Sequence, residues 1–150
     1  MTKSLFYIIQ CEQNPFTCKV FCKECGGLFS RKNWTTSRGK RPIWQCNNRY
    51  KVKGIQGCAN RHIDEETLQQ VFLRAIEVLR ENMGKVEEKW ANFSEEQKLE
   101  KYHSEQLKKL VESDQTAFDG RRMCQVLEKV VLGEDGTISI KFLEGTEVDL

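Results

Sequence analysis

The sequence predicts an α+β fold in which a small cysteine-rich β-ribbon is followed by a helical pair and closed by a short helix plus a β-meander. Three observations carry that prediction. Cys22, Cys25, Cys46 and Cys58 fall in two groups within a stretch of short, glycine-broken strand signals. Apolar residues then recur at three- and four-residue steps from Leu68 to Met83, the period of a helix with one buried face. Near the end, Ile138, Ile140 and Phe142 alternate with Ser139 and Lys141, as a half-buried strand requires.

At 150 residues and 39% hydrophobic content, the chain has room for one ordinary domain or two small ones, and a core this modest benefits from an added staple. Charged residues make up 31%, and no apolar run reaches the length of a membrane span or a signal-peptide core. Leu5-Phe6-Tyr7-Ile8-Ile9 is far too short to cross a bilayer and reads as a buried strand or helix turn. The expectation is a cytoplasmic chain with no membrane partner.

Residues 1–17 end in the turn-like Gln13-Asn14-Pro15 and form a lead-in. Strands are then expected at Lys19-Val20-Phe21 and Leu28-Phe29, and, after a polar loop, at Pro42-Ile43-Trp44-Gln45-Cys46. Asp64 reads as a helix N-cap, with Glu65 and Glu66 in the first turn where the helix dipole favours acids. Leu68, Val71, Phe72, Ala75, Ile76, Leu79 and Met83 line the buried face, and Gly84 stands where a C-terminal cap belongs.

A second helix is expected from Ser94, which has capping-box spacing to Gln97. Its stripe of Leu99, Tyr102, Leu107, Leu110 and Val111 is narrow and suits a helical hairpin or short coiled coil. Trp90 falls between the two helices as a packing residue. Phe118 to Leu127 can form a short helix, Lys129 to Leu132 a strand, and Asp135-Gly136 and Glu144-Gly145 are turns before Val148.

Seven cysteines without a secretory signal favour metal ligation over a disulfide framework. Cys22-x2-Cys25 followed by Cys46 and Cys58 gives four thiolates in two groups, the donor set of a structural tetrahedral zinc. Cys18 and His62 are weaker alternatives as ligands, while Cys11, Cys124 and His103 lack ligand-spaced partners. Asn47 to Gly57 then forms a loop inserted in the second knuckle. Trp44, two residues before Cys46, is placed to shield the metal. The expected divisions are a lead-in at 1–17, the ribbon at 18–62, a helical segment at 63–115 and a C-terminal helix with strands packing on the ribbon at 116–150.

Charge is distributed unevenly. From Cys18 to His62, eleven Lys or Arg face one acid, a balance of +10, whereas from Ile63 to Leu150 twelve bases face twenty acids, a balance of −8. A basic field so confined suits nucleic acid. Arg31, Lys32, Arg38, Lys40, Arg41, Arg49, Lys51 and Lys53 are the candidate contacts to double-stranded DNA, with Trp34 a possible addition from the polar loop.

The run Asn14-Pro15-Phe16-Thr17-Cys18-Lys19-Val20-Phe21-Cys22-Lys23-Glu24-Cys25-Gly26 resembles the start of the zinc β-ribbon found in large serine recombinases. Arg41-Pro42-Ile43-Trp44-Gln45-Cys46-Asn47-Asn48, Gly57-Cys58 and His62-Ile63 extend the likeness. Leu127 to Leu132 and Asp135-Gly136-Thr137-Ile138 resemble that family's closing strands. The resemblance implies a ribbon that binds the outer part of an attachment site, with a coiled coil that mediates subunit contacts. The segment from Gly84 to Thr116 is much shorter than that coiled coil. The family's nucleophilic serine lies in an N-terminal domain, so no catalytic residue is carried over.

Two further functions compete with DNA binding. A protein-interaction module would use the helical pair to bind another copy or a full-length recombinase. A metalloenzyme would need an open coordination position, which four thiolates do not leave.

Overall fold

The structure, a computed structural model, describes residues 14–113 and 117–150. The expectations for Leu5–Ile9 and for Cys11 lie outside the described residues. The α+β class holds. One antiparallel sheet consists of β2 (Phe29–Thr36), β3 (Gly39–Cys46) and β4 (Ile63–Asp64), in that order. The other has the order β1 (Val20–Cys22), β5 (Leu127–Leu132), β6 (Ile138–Phe142) and β7 (Glu147–Asp149). Here β1 runs parallel to β5, pairing Val20 with Val130, and the meander strands are antiparallel. Four helices lie among the described residues: α1 (Glu65–Glu81), α2 (Met83–Ala91), α3 (Lys98–Glu112) and α4 (Gly120–Val126).

The expected polar loop before Pro42 is instead part of a hairpin. β2 and β3 pair without interruption from Phe29 opposite Cys46 to Thr36 opposite Gly39. Residues 31–40 are all exposed, so neither face of this stretch carries the apolar alternation by which a strand is read from sequence. Its strand character comes from the backbone ladder. The turn is closed by the Thr36 hydroxyl, which donates to the Gly39 carbonyl at 2.8 Å.

Helix α1 buries Leu68, Phe72, Ala75, Ile76 and Leu79. It stops at Asn82, whose backbone leaves helical geometry and whose side-chain amide donates to the Val78 carbonyl at 2.8 Å. The chain re-enters a helix at once, so Gly84 lies inside α2 and is not a C-terminal cap. Trp90 is likewise in α2, not in a linker. Its indole N–H donates to the buried Glu144 at 2.5 Å and docks α2 on the turn between β6 and β7.

Ser94 and Gln97 do interact, the Ser94 N–H donating to Gln97 Oε1 at 2.8 Å, but regular helix begins only at Lys98. Leu107, Leu110 and Val111 are buried. Leu99 and Tyr102, expected on the same stripe, are exposed, and the buried residues of α3 all lie from Ser104 onward. Arg80 from α1 donates to the Val111 and Ser113 carbonyls at the C-terminal end of α3, where cationic side chains are favoured. Helix α4 is capped by the Asp119 carboxylate, which accepts from the Arg121 and Arg122 amides, and Leu127 already belongs to β5.

A run of aromatic contacts joins the two sheets. Trp44 of β3 meets Phe16 edge-on at 6.2 Å, Phe16 stacks on Phe118 at 5.6 Å, and Phe118 meets Phe72 of α1 at 6.1 Å. Phe72 then reaches Phe142 of β6 at 6.3 Å. Such pairs add to the energy of area burial, so ribbon, helix and meander share one core.

Candidate metal centre and nucleic-acid interface

The four spaced cysteines converge. Cys22 ends β1, Cys25 follows in the first knuckle, Cys46 ends β3 and Cys58 closes the second knuckle, and their sulfurs all lie within 4.8 Å of one another. The Sγ atoms of Cys22 and Cys58 are 3.6 Å apart and those of Cys25 and Cys46 3.4 Å. A tetrahedral zinc with Zn–S bonds of about 2.3 Å sets sulfurs about 3.8 Å apart. The donor set and its spacing therefore fit one structural zinc. Cys18 and His62 are not in the cluster, and His62 instead packs its ring 4.3 Å from that of Trp34.

Hydrogen-bond donors reach two of the four sulfurs, those of Cys22 and Cys25. Gly26 adopts φ +74° in the first knuckle, where a residue with a Cβ is strained. Cys25 Sγ accepts from the Gly27 N–H at 3.4 Å and from the Asn48 amide at 3.3 Å. The Asn48 hydrogen bond, opposed by burial, holds the Cys25 thiol down at about 6. Burial pushes Cys46 up to about 12 and raises Cys58 as well. Asn60, fully buried, donates to Cys22 Sγ at 3.1 Å and to the Leu132 carbonyl at 2.8 Å.

Sequence reasoning missed Asn48 and Asn60. Each follows a ligand cysteine by two residues, but an asparagine in a polar loop has no spacing signal of its own. Of the other cysteines, Cys18 is exposed. Cys124 is buried and disulfide-bonded, a departure from the expectation of metal ligation and free thiols alone.

The eight candidate DNA contacts divide by what they touch. Arg31 forms a two-pronged pair with Glu65, at 2.7 and 3.1 Å, and Arg41 pairs with Asp64. Asp64 is the residue just before α1 and Glu65 is its first. Lys32 donates to Gln45 at 3.2 Å. Arg49 turns inward and donates to the Asn60 carbonyl at 2.7 Å, which makes it part of the knuckle. Among the described residues, the side chains of Arg38, Lys40, Lys51 and Lys53 are exposed and make no hydrogen bond or ion pair. Arg38 and Lys40 sit at the tip of the β2–β3 hairpin. Lys51 and Lys53 sit on a finger of residues 48–58 that projects from the second knuckle. Trp34, read as a loop residue, is on β2 opposite Arg41.

No described helix is long and apolar enough to cross a membrane. No curated protein matches the sequence. Two solved structures show some similarity: a crystal structure of an LSR–DNA complex, with 11% identity and a TM-score of 0.49, and one concerned with the sequence requirements of the Listeria innocua prophage attP site, with 12% identity and a TM-score of 0.43. These matches cover 95% and 94% of this chain, which spans 62% and 51% of theirs. The model of the recombinase zinc beta ribbon domain matches residues 15–77. The matched residues hold all four clustered cysteines.

Proposed function

We propose that this chain is the zinc-dependent DNA-binding module of a site-specific serine recombinase, and that these 150 residues bind double-stranded DNA without cleaving it. Cys22, Cys25, Cys46 and Cys58 hold one structural zinc, and the division into ribbon, helical segment and C-terminal strands at residues 62/63 and 115/116 follows that role. The observation that carries the reading is that the sulfur cluster braces two projections, the β2–β3 hairpin and the 48–58 finger, whose tips bear Arg38, Lys40, Lys51 and Lys53 without counter-charges. Arg31, Lys32 and Arg41 lie along the same hairpin and add phosphate contacts if they exchange their present partners. Arg49 supports the finger from inside.

The test is a titration of the zinc-loaded chain against duplex DNA over a range of salt. Neutralising about four to six phosphates gives a slope of log affinity on log salt of roughly −4 to −5. Metal analysis should return one zinc per chain, reduced in Cys22→Ser. Binding that survives replacement of Arg38, Lys40, Lys51 and Lys53 with an unchanged slope places the DNA surface elsewhere.

A second reading, contact with another copy or with a full-length recombinase through the helices, is favoured by Leu99 and Tyr102, which are 66% and 55% exposed on α3. It requires a concentration-dependent mass that Leu99→Ser abolishes.

A further inference from the structure

The 48–58 finger carries, besides its lysines, three largely exposed apolar side chains, of which Tyr50 lies beneath the Arg49 guanidinium at 5.5 Å. Tyr50 and Val52 are each 57% exposed and Ile55 is 63% exposed. The finger is a miniature two-stranded ribbon. Cys58 N–H donates to the Asn48 carbonyl at 3.1 Å, Gly57 N–H to Arg49 at 2.8 Å and Ile55 N–H to Val52 at 3.1 Å. Gly57 is required there, because a Cβ would lie 2.2 Å from the Asn48 carbonyl oxygen. Val52 and Ile55 form an antiparallel bridge, and opposed residues of such a pair project from the same face. Two β-branched side chains thus stand together, with Lys51 and Lys53 on either side of Val52.

The geometry points to Val52 and Ile55 as an apolar reading head that contacts thymine C5-methyl groups in the major groove of duplex DNA. This rests on the DNA-binding reading above and adds to it a class of base contact. Size separates this occupant from a protein. A stable protein interface buries about 800 Å² on each partner, far more than two or three fingertip side chains supply, whereas a base edge offers one methyl group at a time. Charge agrees, since Lys51 and Lys53 have no acid beside them among the described residues and are placed to straddle the phosphates flanking a groove. Width selects the groove. The major groove, about 12 Å across, admits a two-stranded ribbon, while the minor groove, about 6 Å across, does not admit paired strands with their side chains. Within the major groove the thymine methyl is the apolar feature that β-branched side chains complement.

The test uses the full zinc-loaded chain and duplexes selected by it from a randomised pool. Each thymine of the selected duplex is replaced singly by uracil, which removes the methyl and leaves base pairing unchanged. The expected result is one or two adjacent positions where uracil weakens wild-type binding by about fourfold per methyl. In V52S/I55S those positions become indifferent to uracil, while zinc content and salt slope stay as in wild type. Both residues are exposed, so the fold is not at stake. Wild-type protein that binds duplex with the expected salt slope but ignores every uracil overturns the methyl contact and leaves the DNA-binding reading standing. A uracil effect that persists in V52S/I55S also overturns it. Loss of binding in V52S/I55S with no uracil effect in wild type would instead mean an apolar wedge between base steps. Wild-type protein that binds no duplex overturns both.

Discussion

The side-chain amide of Asn60 donates to the Cys22 sulfur at 3.1 Å and, from the same nitrogen, to the Leu132 carbonyl at 2.8 Å. One buried side chain thus ties a metal ligand to the strand that begins the C-terminal meander. Groups that hydrogen-bond to metal ligands typically govern 10- to 100-fold in affinity. Asn60→Ala should therefore weaken zinc binding by about that range, read by competition with a chromogenic chelator. Amide exchange in β5 should quicken in the same variant. Unchanged zinc affinity would leave Asn60 a packing residue only.

Zinc binding should release protons at neutral pH. Burial raises the thiols of Cys46, to about 12, and Cys58, whereas Cys25 lies at about 6. At pH 7.5 Cys25 is then already a thiolate, while Cys46 and Cys58 must each lose a proton to coordinate. The sign follows: affinity rises with pH through the neutral range and falls on acidification, as protons regain the sulfurs. Titration calorimetry in buffers of different ionisation enthalpy counts the protons directly. A count near zero would contradict this assignment of thiols.

Phe72→Ala should cost about 3 to 5 kcal/mol, as large-to-small core changes do. Phe72 is 2% exposed and touches both Phe118 and Phe142, so its loss opens the aromatic run at its centre. Denaturant unfolding of the zinc-loaded chain measures the cost. A change below about 1 kcal/mol would mean that this face of α1 is not core.

Glu65→Gln should tighten binding to duplex DNA several-fold and steepen its salt slope by about one. Glu65 now occupies both prongs of the Arg31 guanidinium, with the two side chains 18% and 32% exposed. The substitution frees a cation on the hairpin and removes a negative charge that faces the same phosphates. Salt-dependent titrations of the two proteins side by side are the check. Weaker binding would show that Arg31 is held in position by its acid.

The four ligand cysteines were legible because tetrahedral coordination imposes spacing on the chain, and Leu68 to Leu79 because a buried helix face imposes period. The hairpin from Ser30 to Arg41 was not, since a ribbon wet on both faces leaves no pattern in its residues. Asn82 concealed the break between α1 and α2: its amide caps the preceding turn from within a sequence that stays helical in composition, and Gly84 drew the boundary two residues too far. Asn60 and the pairing of Arg31 with Glu65 were hidden for another reason. Their partners are distant in sequence, and only tertiary structure brings them together.

The parallel pairing of β1 with β5 also sets a timetable. Val20 and Val130 are about 110 residues apart, and at roughly 5 to 20 residues per second a ribosome needs on the order of 6 to 20 s to make the stretch between them. All four cysteines emerge during the first half of that interval. A nascent chain can capture its metal and close both knuckles while the neighbour of β1 does not yet exist. During that window the outer edge of Val20–Cys22 is an unpaired strand, the kind of edge that invites mispairing. The knuckles hold its end in place until synthesis delivers the partner.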